Sequence, residues 1–370
     1  MKEEPIRILH VLQRMEPAGV QTLLMNIYKN IDRQKVQFDF LVHYKEKQLF
    51  DSEIEKMGGK IYRLSVREDF NFIKYIKNLN EFFSEHKEYR IVHGHMHSLG
   101  WIYLKIAKKY NIKVRIAHSH TNNTQHDKKF LIKNISNHLF SKYATDLFAC
   151  SEEAGKYMFK NKKFEVINNG IDSENFKYND EYRKEIRKEL KINEDEILIG
   201  NVGRFEKQKN QLFVIEIFKK FLELNPNSKL LFVGKGSMEN EIKQKVSDYE
   251  LNNKVIFLKD RKDINKIYCA MDAFLFPSIF EGLGIVCVEA QCAGTPVICT
   301  DTLPKELNLT PIIYRCSLND EISKWNELIN NAITNNKTHK DMTQNIIEQG
   351  YDIKSIAKKL ESYYIKKWNE

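Results

Sequence analysis

Two glutamates, a basic pair, a set of turn glycines and two groups of histidines are the residues whose types and spacing could do chemistry. Glu281 and Glu289 frame the stretch Glu281-Gly-Leu-Gly-Ile-Val-Cys-Val-Glu289, in which Gly282 and Gly284 bracket Leu283. An apolar run of strand length, Ala273-Phe-Leu-Phe276, leads into it, and from Ile285 the pattern is helical until near Gly294. A helix that opens on a glycine turn has first N–H groups with no partner inside it, at the positive end of its dipole. Such a place suits a phosphate or diphosphate, to which glycine lets the backbone come close. Glu281, at the mouth, could meet sugar hydroxyls or a developing positive charge. Glu289, about two helical turns on, is too far away to serve the same atom. Its natural use is to accept hydrogen bonds from a second diol, such as a ribose. A strand–turn–helix unit with two solvated glutamates would have the same spacing, so this stretch does not decide alone.

Arg204 and Lys209 supply the complementary charge. They lie five residues apart, after the buried-strand pattern Glu196-Ile-Leu-Ile-Gly-Asn-Val-Gly203 and before a helical run from Gln211 to Leu224. Both can reach an anion held in an adjacent crevice, Arg204 in bidentate fashion and Lys209 as a point charge. Two ordinary loop cations would look the same. A further strand, Lys229 to Val233, ends at Gly234-Lys-Gly236, and Arg261 follows the strand Val255–Leu258. Near the start, Ile6–Leu12 runs as a strand into a turn at Gly19 and a helix over Thr22–Tyr28. With one glycine it lacks the dinucleotide fingerprint.

The histidines fall at strand ends: His93, His95 and His97 at alternate positions, then His118 and His120. Alternate residues of an extended chain share a face, so the clusters resemble a metal site on paper. No carboxylate motif accompanies them, and strand ends in α/β sheets line ligand crevices without metal. No metal is therefore expected; a contact of His120 with donor or acceptor is favoured over simple packing.

These groups must be positioned by a chain of 370 residues with 42% hydrophobic content and net charge +9. That length suits two domains. No apolar run approaches a membrane span, and the first residues carry no signal-peptide pattern. The six cysteines form no CxxC pair and read as reduced core residues, which suits a cytoplasmic protein. Strand and helix alternate throughout, which predicts doubly wound parallel sheets. The excess of basic residues lies almost wholly before residue 176, and all histidines but His339 lie there too. That asymmetry suggests an anionic partner; a solvated basic surface would give the same balance. No nucleic-acid motif is present, so nucleic acid is not expected. The basic amphipathic stretch 122–146 could pack on its own domain or rest on an anionic membrane surface. The charged helix Tyr178–Leu190 reads as a connector.

Gly203-Arg204 with Lys209, Gly234-x-Gly236 and Glu281-Gly-x-Gly-x-x-x-x-Glu289, in this order, resemble the nucleotide-sugar half of the retaining GT-B glycosyltransferases of family 4. Asn169-Gly-Ile-Asp172 and Gly19 are further shared marks. Ala117-His-Ser-His120 and Thr302-Leu-Pro-Lys-Glu306 resemble members that build exopolysaccharide or capsular polysaccharide. The resemblance implies a GT-B architecture, α/β with two Rossmann-like domains facing a central cleft. Residues 1–176 would form the acceptor domain, joined by the last helix from about 353, and 190–352 the nucleotide-sugar domain. It implies a hexosyltransferase that takes a sugar from a nucleoside diphosphate donor, of UDP type, to a lipid-linked or oligosaccharide acceptor such as a polyprenyl diphosphate sugar. The enzyme would be cytoplasmic or peripheral on the inner face of the plasma membrane, and no metal would be needed. Arg204 and Lys209 would neutralise the diphosphate and Glu289 would hold the ribose. Glu281, with the backbone at Gly282, Leu283 and Gly284, would grip the sugar. His120 would stand near the reaction centre with His118 as its competitor. Gly19, Gly203, Gly234, Arg261, Ile285 and Val286 would complete the donor site. The first loop, Pro17-Ala-Gly19, departs from relatives with two glycines there. A sugar-nucleotide epimerase or phosphorylase of similar fold, a metal-dependent hydrolase using the histidines, and a non-catalytic binding module are the alternatives.

Overall fold

The computed structural model describes residues 4–16, 18–66, 71–96, 99–120, 130–259 and 261–370, with the backbone alone at 130–135 and 137. His97 and the basic residues Lys128 and Lys129 fall outside the described residues. Two units are present, Met1–Gly170 together with Ile353–Glu370, and Ile171–Asp352.

The first unit is built on a parallel sheet. Its strands are β1 (Ile6–Leu12), β2 (Val36–Val42), β3 (Ile61–Arg63), β4 (Ile91–Gly94), β5 (Val114–Ser119), β6 (Asp146–Ala149) and β7 (Glu165–Val166), in the order β3-β2-β1-β4-β5-β6-β7. The whole of β2, Val-Gln-Phe-Asp-Phe-Leu-Val, is buried, as both faces of a parallel sheet are when helices cover them. The one charge in it, Asp39, accepts bonds from Arg7 at 2.6 and 2.5 Å, from the Tyr89 hydroxyl and from the Lys60 amide, so its burial is compensated. The helix Ile353–Asn369 returns to this unit, where Ile353, Ile356, Ala357, Leu360 and Tyr364 join a core with Ile8, Phe38 and Phe148.

The second unit repeats the plan with β8 (Ile197–Val202), β9 (Ser228–Val233), β10 (Val255–Leu258), β11 (Ala273–Phe276), β12 (Val297–Thr300) and β13 (Ile313–Cys316), in the order β10-β9-β8-β11-β12-β13. Each sheet reverses its winding once, between β1 and β4 and between β8 and β11. Ligands of such sheets bind outside the strand ends at that reversal. All six cysteines are buried and none is in a disulfide.

Three local readings change. The boundary lies at residue 170, not 176. The helix Asp180–Glu189 is no loose connector: its Arg183 and Arg187 pair with Asp272 at 2.6 and 3.3 Å, and Ile186 is fully buried. Arginines on a polar-looking helix can be anchors when a carboxylate of the unit waits for them. The first helix starts at Gly19, three residues before Thr22.

Candidate active site

The loops that leave β8 and β11 are bound to each other. The Ile279 amide donates to the Gln208 carbonyl at 2.9 Å, the Gln208 side chain donates to the Phe280 carbonyl at 2.7 Å, and Asn210 donates to the Pro277 carbonyl at 3.1 Å. Between them Lys209 Nζ meets Glu281 Oε1 at 2.6 Å and lies 4.9 Å from the centre of the Phe276 ring. Two groups separated by 72 residues in sequence thus form one preset pair. An ammonium has three donors, so Lys209 keeps donors for a second anion while Glu281 orients it. Arg204 stands beside this pair in sequence, is exposed, and makes no side-chain hydrogen bond or ion pair with a described residue.

The helix Ile285–Cys292 begins at Gly284, whose φ of 85° is the left-handed conformation that glycine adopts without strain. No side chain caps this helix, and the Cys287 amide already bonds the Gly284 carbonyl at 2.8 Å. The amides of Ile285 and Val286 are left to face the loop, as first-turn amides are. A Cβ at Gly282 would meet nothing within 4 Å, whereas Leu283 is buried and pins the turn to the core. Gly203 and Gly234 end neighbouring strands; a Cβ on Gly234 would come within 2.1 Å of the Gly203 carbonyl oxygen. This pair is therefore needed for backbone packing under the loops.

Glu289 sits one helical face further on. The Tyr268 hydroxyl donates to its Oε2 at 3.0 Å. Burial pushes the Glu289 carboxyl up to about 7, and the tyrosine bond pulls only partly against it. A carboxylate held in this way is ready for further hydrogen-bond donors that would favour its charged form. Tyr268 was not singled out by the sequence: an apolar-looking helix, Ile264–Ala270, hides it 21 residues away. Arg261 has carboxylate partners of its own. It grips Asp263 at 2.8 and 2.7 Å and also Glu189, and it follows β10 at the sheet edge.

In the first unit, Gly19 opens the helix after β1 and a Cβ there would meet nothing within 4 Å. The histidines form two rows on one face of β1, β4 and β5. In one row His120 Nε2 meets His95 Nδ1 at 2.9 Å, and His95 Nε2 meets His10 Nδ1 at 3.0 Å. In the other, His118 Nδ1 meets His93 Nε2 at 3.1 Å, and His93 Nδ1 meets the Tyr364 hydroxyl at 2.7 Å. The rows stack, His93 on His95 with ring centres 4.4 Å apart and His118 on His120 at 4.0 Å. Burial and the neighbouring imidazoles hold His10 and His93 well below the usual histidine range, so both are neutral near pH 7. His120 is half-buried at the outer end and His10 is fully buried at the inner end. His10 and Tyr364 escaped the sequence reading; a lone histidine inside the apolar run Ile6–Leu12 was the available signal.

Residues 17–175 match the family model described as Glycosyltransferase Family 4, and residues 182–349 match that of Glycosyl transferases group 1. EpsF of Bacillus subtilis (strain 168), named as a glycosyltransferase, is 31% identical over 95% of this chain and 94% of its own. The UDP-Gal:alpha-D-GlcNAc-diphosphoundecaprenol alpha-1,3-galactosyltransferase of Escherichia coli is 26% identical over 97% of each chain. Among solved structures, Anabaena Alr3699/HepE in complex with UDP superposes with a TM-score of 0.81 at 18% identity, over 97% of this chain and 100% of that one. The lipopolysaccharide-biosynthesis glycosyltransferase WaaG superposes with a TM-score of 0.67 at 17% identity, over 96% of this chain and 99% of that one.

Proposed function

Because this chain belongs to the glycosyltransferases, a Family 4 half followed by a group 1 half, we propose that it transfers a hexose from a UDP-sugar, with retention of configuration, to a lipid-linked sugar during polysaccharide assembly. The observation that carries this is the pair of tied loops after β8 and β11, where Lys209, Arg204 and the uncapped helix at Ile285 supply positive charge around one turn. A diphosphate placed there would meet Arg204, Lys209 and the amides of Ile285 and Val286. Glu289 would accept the ribose hydroxyls. Glu281, with the backbone at Gly282 and Leu283, would accept from the hydroxyls of the transferred sugar.

In the reaction the bond from the anomeric carbon to the diphosphate oxygen breaks, and its electron pair stays on that oxygen. The cations and amides stabilise the growing negative charge, work that fixed donors perform without rearrangement. The acceptor hydroxyl forms its bond on the face the diphosphate leaves, and its proton passes to the leaving phosphate oxygen. No protein nucleophile is needed. Arg204 and Lys209 replace a divalent cation at the diphosphate. His120, at the end of β5, is the residue for the acceptor side.

The name of the E. coli relative, with its undecaprenol-linked acceptor, supports the lipid-linked acceptor. Anabaena HepE forms complexes with UDP and with UDP-glucose, which supports the donor class. The test is incubation with a panel of UDP-sugars and a synthetic polyprenyl diphosphate sugar, with the product linkage read by NMR. A new glycosidic bond of the donor's own anomeric configuration is expected; an inverted product would overturn retention. Free sugar or an epimerised nucleotide as sole product would overturn transfer.

A membrane-facing surface fits the same reading. Phe72, Ile73 and Ile76 are exposed on the helix Phe72–Glu85. Beside them a cavity of about 640 Å³ is lined by Ile76, Trp101, Lys105, Lys108, Lys109 and Tyr143. Apolar side chains rimmed by lysines suit an anionic bilayer surface, and no described helix is long and apolar enough to cross one. Co-sedimentation with anionic vesicles at low salt is expected, weakened by Ile73→Glu; absence from the pellet at every salt would sink this part.

A further inference from the structure

The buried histidine rows of the first unit have a composition that packing alone does not require. Three adjacent strands place five imidazoles on one face, next to Phe38, Phe40 and Phe148, which show that the same space accepts apolar rings. Burying polar rings is unfavourable unless each finds a partner. His10 Nε2 is buried with no hydrogen-bond partner among the described residues.

We propose that His95, His118 and His120 bind a divalent transition-metal ion of the zinc type, with His10, His93 and Tyr364 holding the ligand rings. One nitrogen from each of the three lies within 4.8 Å of the others. Ligand nitrogens around one tetrahedral zinc stand about 3.3 Å apart, given zinc–nitrogen bonds of about 2.0–2.1 Å. His95 Nδ1 and His120 Nε2 are 2.9 Å apart, so a small rotation of each ring opens the place that a proton fills between them here.

The remaining contacts fit what ligating histidines need, a partner on the second ring nitrogen that fixes orientation and tautomer. His95 has its Nε2 on His10, and His118 has its Nδ1 on His93, which is held in turn by the Tyr364 hydroxyl. A second triad, His10, His93 and His95, is equally compact, but both nitrogens of His93 are held from outside it, by Tyr364 and His118, whereas His95 Nδ1 faces His120, itself a member of the outer triad. The outer triad also includes the half-buried His120, which gives the ion an entrance. All ligands are neutral nitrogen donors, a set that favours zinc, nickel, cobalt or copper over magnesium and calcium, which take oxygen. Three protein ligands leave a fourth position for an oxygen of water or of an acceptor. The site goes beyond the transfer reading, in which the donor diphosphate is held in the second unit by Arg204, Lys209 and backbone amides.

The experiment uses the full chain with any affinity tag removed, stripped with chelator and titrated with Zn²⁺ against a chromophoric competitor, and with Co²⁺ followed by visible absorption. One equivalent of Zn²⁺ and a tetrahedral cobalt spectrum are expected. His118→Ala and His120→Asn should each remove the tight equivalent, and His10→Phe should weaken it about 10- to 100-fold, as loss of a ring-holding partner does. Because His118→Ala could unfold the first unit, the more exposed His120→Asn is read alongside it, with circular dichroism confirming its fold. Folded His120→Asn that binds Zn²⁺ like the parent would overturn the proposal, and so would a parent with no tight equivalent; in either case the rows are a hydrogen-bonded stack only.

Discussion

The two clusters at the two sheet reversals solve opposite problems. In the second unit, opposite charges and open amides stand at a loop surface. Lys209 and Glu281 pair at 2.6 Å while Arg204 stays exposed, so the site is polarised before any anion arrives. In the first unit, imidazole rings are packed in rows, His10 and His93 held neutral among them, and among the described residues no carboxylate belongs to the group. The first arrangement stabilises charge that changes during a reaction. The second gives precise ring orientation with little charge of its own. Damage to the charged cluster should therefore appear as lost catalysis, and damage to the buried inner rings, away from His120, as altered stability.

The largest effect is expected from the charged side. Lys209→Ala and Arg204→Ala should each lower kcat by about 10²- to 10³-fold, the usual consequence of losing one fixed donor to a developing oxyanion. Thermal unfolding should change little for Arg204→Ala, since its exposed side chain makes no hydrogen bond or ion pair with a described residue. Steady-state transfer rates near those of the parent for both variants would remove the basis of the comparison.

An intermediate effect is expected from the ring side. Tyr364→Phe leaves His93 Nδ1 buried without its 2.7 Å partner and should cost about 1–3 kcal/mol of stability. UDP affinity, measured by calorimetry, should stay within about twofold, because a charge-stabilising site is insensitive to a ring held elsewhere. A tenfold loss of UDP binding in a folded Tyr364→Phe protein would show that the two clusters do not act separately.

The smallest effect sharpens the donor side. The Glu289 carboxyl stands at about 7 without ligand, raised by burial. Ribose hydroxyls donating to it would favour the carboxylate and lower that value, so binding releases a proton. UDP affinity should then be fully developed above about pH 7 and decline as pH falls below it, by at most about tenfold per pH unit. Glu289→Gln should flatten this component relative to the parent. The same slope in both proteins would assign the dependence to the phosphate and not to Glu289.

The loops after β8 and β11 were legible because their signals are local. A strand, a glycine with positive φ and a helix start follow one another in sequence, and β8, β10 and β11 lie where the apolar runs put them. The parallel fold was legible for the same reason. What escaped depends on distant partners. His93 and Tyr364 meet across 271 residues, and nothing near either one announces the other. The helix of Arg183 and Arg187 read as a connector because Asp272, which pairs with both, comes some 85–89 positions later. Arg261, which the resemblance put in the donor site, shows the reverse limit: its guanidinium pairs with Glu189 and Asp263. Spacing shows which groups a turn can present, and only the fold shows which are already taken.

The helix Ile353–Asn369 follows the whole second unit in sequence but supplies core side chains to the first. During synthesis, β1, β2 and β4 thus emerge long before the residues that cover their histidine face. Until Leu360 and Tyr364 arrive, that face is covered only in part, by Leu24, Ile27 and Tyr28 of the first helix, whereas Ile171–Asp352 is a continuous segment. The half that begins first therefore receives its covering helix only after the other half has been translated.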